Sequence, residues 1–159
     1  MIELIVNLEV FELDYVRYLE KVKKEPLSLK EGFKYEMINR GVKEAIPAEH
    51  FLLRLADLLP GKVHPGVKEI HDKAEHAFYI LTGVGKISID DMDYELRPDT
   101  VVYVPAGSSH ILENTGDEIL RWIVIYAPYE TRTYLEYPEG SIMYYESLKK
   151  KLDAGESIH

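Results

Sequence analysis

Between residues 50 and 127 the chain is cut into eight short runs in which apolar residues recur at strand-like spacing, and this punctuation constrains the fold more than any other feature. The runs cover 50–58, 67–71, 76–82, 84–90, 93–97, 100–105, 109–114 and 119–127. Each gap holds residues that turn a chain: Pro60-Gly61, Pro65-Gly66, Gly83, Asp90-Asp91, Pro98-Asp99, Ala106-Gly107 and Thr115-Gly-Asp117. Many short strands at even spacing predict an all-β domain, an antiparallel sandwich or barrel, and a jelly roll is one way to cover their edges. Asp90, Asp91 and Asp93 lack the glycine and distal glutamate of a calcium loop and read as a hairpin turn. Gly83-Val-Gly85 leads into a strand where a phosphate cradle needs a helix, so it is a tight turn.

Inside this region, residues 69–83 concentrate the chemistry. Glu69 and His71 are two apart, so on a strand they share a face, and a turn at Asp72 to Ala74 can bring His76 back beside them. His110 opens a later strand that a rolled sheet places opposite. Imidazoles with a carboxylate suit Mn, Fe, Ni, Cu or Zn better than Mg or Ca, which prefer oxygen-only shells. Glu75 and His76 are adjacent, so only one of them faces inward on a regular strand.

Two motifs carry a family resemblance. Pro105, Gly107, His110 and Asn114 stand at the spacing of the second motif of the cupin superfamily, with Asp99 where that motif opens on glycine. Gly83 closes the first motif, and counting back from it puts His76 at the glutamate position, His71 at the second histidine and Glu69 at the first. A three-residue gap after His71 would select Glu75 instead. The chain thus resembles the cupins over about residues 50–127, and its ligand pattern is similar to the ureidoglycine aminohydrolase branch. That branch uses manganese, but its two histidines are one residue closer and its fourth ligand is glutamine. The resemblance implies a jelly-roll barrel and one divalent transition metal on Glu69, His71, His76 and His110, manganese first, with Fe, Ni, Zn or Cu as alternatives.

The expected organisation is one domain over 1–159, with an N-terminal extension of 1–49 and a tyrosine-rich C-terminal segment of 128–159. Residues 1–6 read as an edge strand, Phe11 to Lys24 as an amphipathic helix stopped by Pro26, Phe33 to Ile38 as a strand, and Ser141 to Leu152 as a second helix. The fold expected is therefore a jelly roll with one helix at each end. Tyr126, Tyr129, Tyr134, Tyr137, Tyr144 and Tyr145 could cover the barrel wall or join two subunits, and a homodimer is the expectation. A net charge of −9 disfavours nucleic acid and anionic membranes. The opening Met1 to Val6 is too short for a signal or a span, which predicts a cytoplasmic protein. Cysteine and glutamine are absent while Glu and Lys are plentiful, as in proteins of hyperthermophiles.

On strand 50–58, His50, Leu52, Arg54 and Ala56 share one side. If that side faces inward, Arg54 can clamp a carboxylate. Phe78 shares a face with His76, and Trp122 shares one with Tyr126, so Arg54, Phe78, Trp122 and Tyr126 are the candidate substrate contacts. Two functions fit these residues. One is a metal-dependent enzyme on a small organic molecule, by resemblance an isomerase, dioxygenase or aminohydrolase; the other is a non-catalytic module that binds or senses a small ligand.

Overall fold

The computed structural model describes residues 18, 20–21, 25–27, 40–48, 50–128, 133–136, 140, 142–144 and 154. Its strands are β1 (Glu25–Leu27), β2 (Arg40–Pro47), β3 (Leu52–Leu58), β4 (Val63–His71), β5 (Glu75–Thr82), β6 (Gly85–Ile89), β7 (Met92–Leu96), β8 (Val101–Val104), β9 (His110–Glu113), β10 (Leu120–Ala127), β11 (Thr133–Glu136) and β12 (Ile142–Tyr144). They form two six-stranded antiparallel sheets, ordered β1-β2-β3-β10-β5-β8 and β12-β11-β4-β9-β6-β7. The all-β jelly-roll expectation is met. Among the described residues no helix is long and apolar enough to cross a membrane.

Alternation decides which face is buried. On β5, His76, Phe78 and Ile80 point inward while Glu75, Ala77 and Tyr79 stay exposed. On β10, Leu120, Trp122 and Val124 do the same. These residues meet Ala56 and Leu58 of β3 and Val104 of β8 from the first sheet, and Ile87, Leu96 and Leu112 from the second. The core is thus shared by both sheets, and each large side chain buried in it contributes about 1.5–3 kcal/mol.

Three turns explain punctuation seen in the sequence. Asp90 and Asp91 both have positive φ, 46° and 67°, and join Ile89 to its partner Met92 as a two-residue hairpin of the primed type. Asp99, which replaces the expected glycine of the second motif, also has positive φ, 66°. Aspartate tolerates that conformation better than most residues, so the turn survives the substitution. Gly83 (φ 80°) is less replaceable, because a Cβ there would lie 2.6 Å from the Ile119 carbonyl oxygen.

Several expectations need correction. Pro65-Gly66 does not separate strands: it lies within β4, where Gly66 (φ 98°) sits in a register shift against β9, a bulge rather than a turn. Arg40 and Gly41, just past the strand expected over 33–38, begin a strand of their own, β2. Residues 133–136, in the tyrosine-rich segment where no strand is expected, form β11. Residues 142–144, expected to open a helix, form β12 against it. Ile-Met-Tyr fits a helical stripe and a strand equally, and pairing with β11 decides for the strand. The rest of that helix, the strands expected over 1–6 and 33–38, and all but three residues of the first helix lie outside the described residues.

Candidate metal centre

The ends of β4, β5 and β9 bring three histidines together. The short turn after His71 returns the chain at His76, and β9 pairs with β4 so that His110 lies opposite Glu69. The Gly107 amide donates to the His71 carbonyl at 2.7 Å, tying the second motif's turn to the first motif's strand. Ring centroids are 4.3 Å apart for His71 and His76, 5.0 Å for His76 and His110, and 5.5 Å for His71 and His110. One ligand nitrogen from each lies within 4.8 Å of the others, and the residues are only 4%, 2% and 3% exposed. Three buried imidazoles at this spacing form a donor set for a borderline transition metal.

Glu69 stands beside this cluster. Its Oε1 is 2.7 Å from His71 Nε2 and its Oε2 is 3.8 Å from His64 Nε2. His71 Nε2 makes no aligned hydrogen bond despite that short approach. Burial pushes the Glu69 carboxyl up, but the His71 contact and, when those rings are protonated, the charges of His71, His64 and His110 outweigh it and hold the group well below the usual carboxylate range. It is therefore anionic, as a ligand must be. The site fits a divalent ion.

Polar groups also meet the outer nitrogens of two of the histidines. Thr133 Oγ1 lies 2.9 Å from His71 Nδ1, and the Ser108 carbonyl lies 3.3 Å from His110 Nδ1. Glu75 points away from the cluster and accepts a hydrogen bond from Tyr103 at 2.7 Å, while His76 points in.

The four candidate substrate contacts divide. Tyr126 packs on His76 (ring centroids 4.0 Å) and faces His71 at 5.8 Å. It is therefore inside rather than on an outer wall. The guanidinium of Arg54 lies 5.6 Å from the Tyr126 ring, and Arg54 shares the inward parity of Leu52, Ala56 and Leu58. Opposite Arg54 in the strand register stand Val124 and Glu44. Phe78 closes the other side, 5.6 Å from His76 and 6.5 Å from His110. Trp122 is not brought to the cluster: it pairs with Ile80, four residues along β10 from Tyr126, about 13 Å deeper in the core. Sequence reasoning missed His64 and Thr133. His64 falls in the gap between the strands expected over 50–58 and 67–71, and Thr133 lies beyond the motifs.

Asn114, which closes the second motif, is a fastener. Its buried amide donates to the Leu58 and Glu118 carbonyls, both at 2.8 Å, and its Oδ1 accepts from the Gly116 amide at 3.0 Å.

A jelly roll with buried histidines gathered where its two sheets meet defines a small β-barrel protein with a metal-competent site. Residues 54–126 match the family Cupin_2, a cupin domain, and the barrel they form has the cupin fold. An uncharacterized protein of Methanocaldococcus jannaschii is 32% identical over 60 residues, 37% of this chain and 48% of that protein, so the match spans about half of that relative's length. A sugar phosphate isomerase of the cupin superfamily from Silicibacter pomeroyi has the same fold at TM-score 0.64 and 16% identity, over 82% of this chain and 93% of its own. A predicted oxalate decarboxylase of Thermotoga maritima superposes at TM-score 0.61 and 22% identity, over 71% and 98%.

Proposed function

We propose that this protein is a metal-dependent cupin enzyme acting on a small organic anion, which it holds between Arg54 and a divalent transition metal on Glu69, His71, His76 and His110. The observation that carries this reading is the line of contacts from Arg54 over Tyr126 to His76. A cation on the inner face of a largely apolar barrel is costly to bury alone, and an anionic ligand is the partner that would also reach the metal. Arg54 would grip a carboxylate or phosphate through two parallel N–H bonds. Phe78 and Tyr126 would shield the bound group from water, and Glu69, anionic beside three neutral imidazoles, would leave the centre with a net positive charge. A metal there supplies Lewis-acid polarisation of a substrate oxygen. Oxalate and sugar phosphates, for which two of the fold relatives are named, are anions of this kind. Manganese is the first choice by resemblance to the aminohydrolase branch, with Fe, Ni, Zn and Cu following.

Elemental analysis of untagged protein, then calorimetric titration of the metal-loaded form with small carboxylic acids, keto acids, phosphorylated sugars and neutral sugars, tests the reading. Arg54→Leu is expected to weaken acid binding by about 2–3 kcal/mol with metal content unchanged, and Arg54→Lys to restore only part of it. Acid binding indifferent to Arg54 removes the anionic substrate. Tight binding without turnover of any of these compounds leaves a binding module.

A further inference from the structure

We propose that Thr133, which lies outside the matched domain, is a positioning residue of the metal centre: it holds His71 in the tautomer that presents Nε2 to the ion. The inference rests on the metal reading above and adds a residue to it from a strand that the two motifs do not contain.

The register makes the contact specific. β11 runs antiparallel to β4 with Thr133 opposite His71, Tyr134 opposite Ile70 and Leu135 opposite Glu69. The Thr133 hydroxyl oxygen lies 2.9 Å from His71 Nδ1. On the other side of the same ring, Nε2 faces Glu69 Oε1 at 2.7 Å. A neutral imidazole carries one proton, so the two sides are coupled. With no metal, the proton can sit on Nε2 toward the carboxylate, and the Thr133 hydroxyl then donates to Nδ1. With a metal on Nε2, that nitrogen must offer its lone pair, the proton sits on Nδ1, and the same hydroxyl accepts it.

A hydroxyl serves both arrangements because it gives and takes. His110 is held differently. Its Nδ1 faces a carbonyl, which only accepts, so that contact favours the proton on Nδ1 and leaves Nε2 to offer its lone pair. Thr133 thus lets His71 alternate between a carboxylate partner and a metal, and β11 becomes part of the centre.

Valine at 133 keeps the β-branched shape that suits a strand and removes only the hydroxyl. Metal-stripped wild type, Thr133→Val, Thr133→Ser and His71→Ala are titrated with zinc against a chromophoric chelator. Thr133→Val is expected to weaken zinc binding by about tenfold or more, and serine to recover most of the loss, since an outer partner of a ligand histidine is worth about 10–100-fold in affinity. In zinc-loaded wild type, long-range 1H–15N correlation spectra are expected to show the His71 ring protonated at Nδ1. Thr133→Val with wild-type affinity, or a zinc-loaded His71 protonated at Nε2, overturns the proposal while leaving the metal site intact. Failure of the wild type to bind zinc, or wild-type affinity in His71→Ala, overturns the metal reading and this inference together.

Discussion

Glycines 83 and 107 both have positive φ, yet only one is confined by its neighbours. A Cβ on Gly107 meets nothing within 4 Å, so Gly107→Ala costs the left-handed penalty alone, about 1–2 kcal/mol. Gly83→Ala meets the Ile119 backbone as well and is expected to cost more than Gly107→Ala, about 2–3 kcal/mol or above by urea denaturation. Equal losses would show that the Ile119 strand end yields freely. Asn114→Ala strands the carbonyls of Leu58 and Glu118 and the Gly116 amide, and is expected to cost about 2–4 kcal/mol. At this scale the sequence was readable where a motif fixes spacing. Gly83, His71, His76, His110 and Asn114 could be found because each is a fixed number of residues from the next. Thr133 reaches His71 from the neighbouring strand β11, and His64 reaches Glu69 along β4 past the Gly66 bulge, and no local spacing announces either contact.

Elements show the same division. β3 and β5–β10 carry alternation and turn residues on both sides, and they were placed to within a few residues. β2, β11 and β12 were not. Arg40–Pro47 has little alternation and a register shift between Glu44 and Ile46, so its pattern slips from one face to the other midway. Strand identity there comes from the neighbour rather than from the segment. The β6–β7 hairpin offers a test of turn chemistry. Asp91 stands at φ 67° and its carboxylate pairs with Lys68 in an exposed setting, where an ion pair is worth little. Asp91→Gly supplies the residue that a primed turn prefers, and is expected to raise stability by about 0.5–1 kcal/mol. A lower melting temperature would mean that the Lys68 pair matters more than the backbone.

For the molecule as a whole, a bound ion stabilises by linkage. At a thousandfold excess of metal over its dissociation constant the gain is about 4 kcal/mol, so chelation is expected to lower the melting temperature by many degrees. An unchanged melt together with metal-free elemental analysis would remove the site. The placement of the three histidines adds a mechanical consequence. His71 and His110 belong to strands of the second sheet and His76 to a strand of the first, so an ion held by all three is a clasp between the sheets. Openings in which the sheets part at that end would have to release it. Amide exchange in β4, β5 and β9 is therefore expected to slow together when metal is added, and three strands that respond independently would contradict the clasp. The protein would then carry a hinge whose stiffness is set by the metal supply of its surroundings.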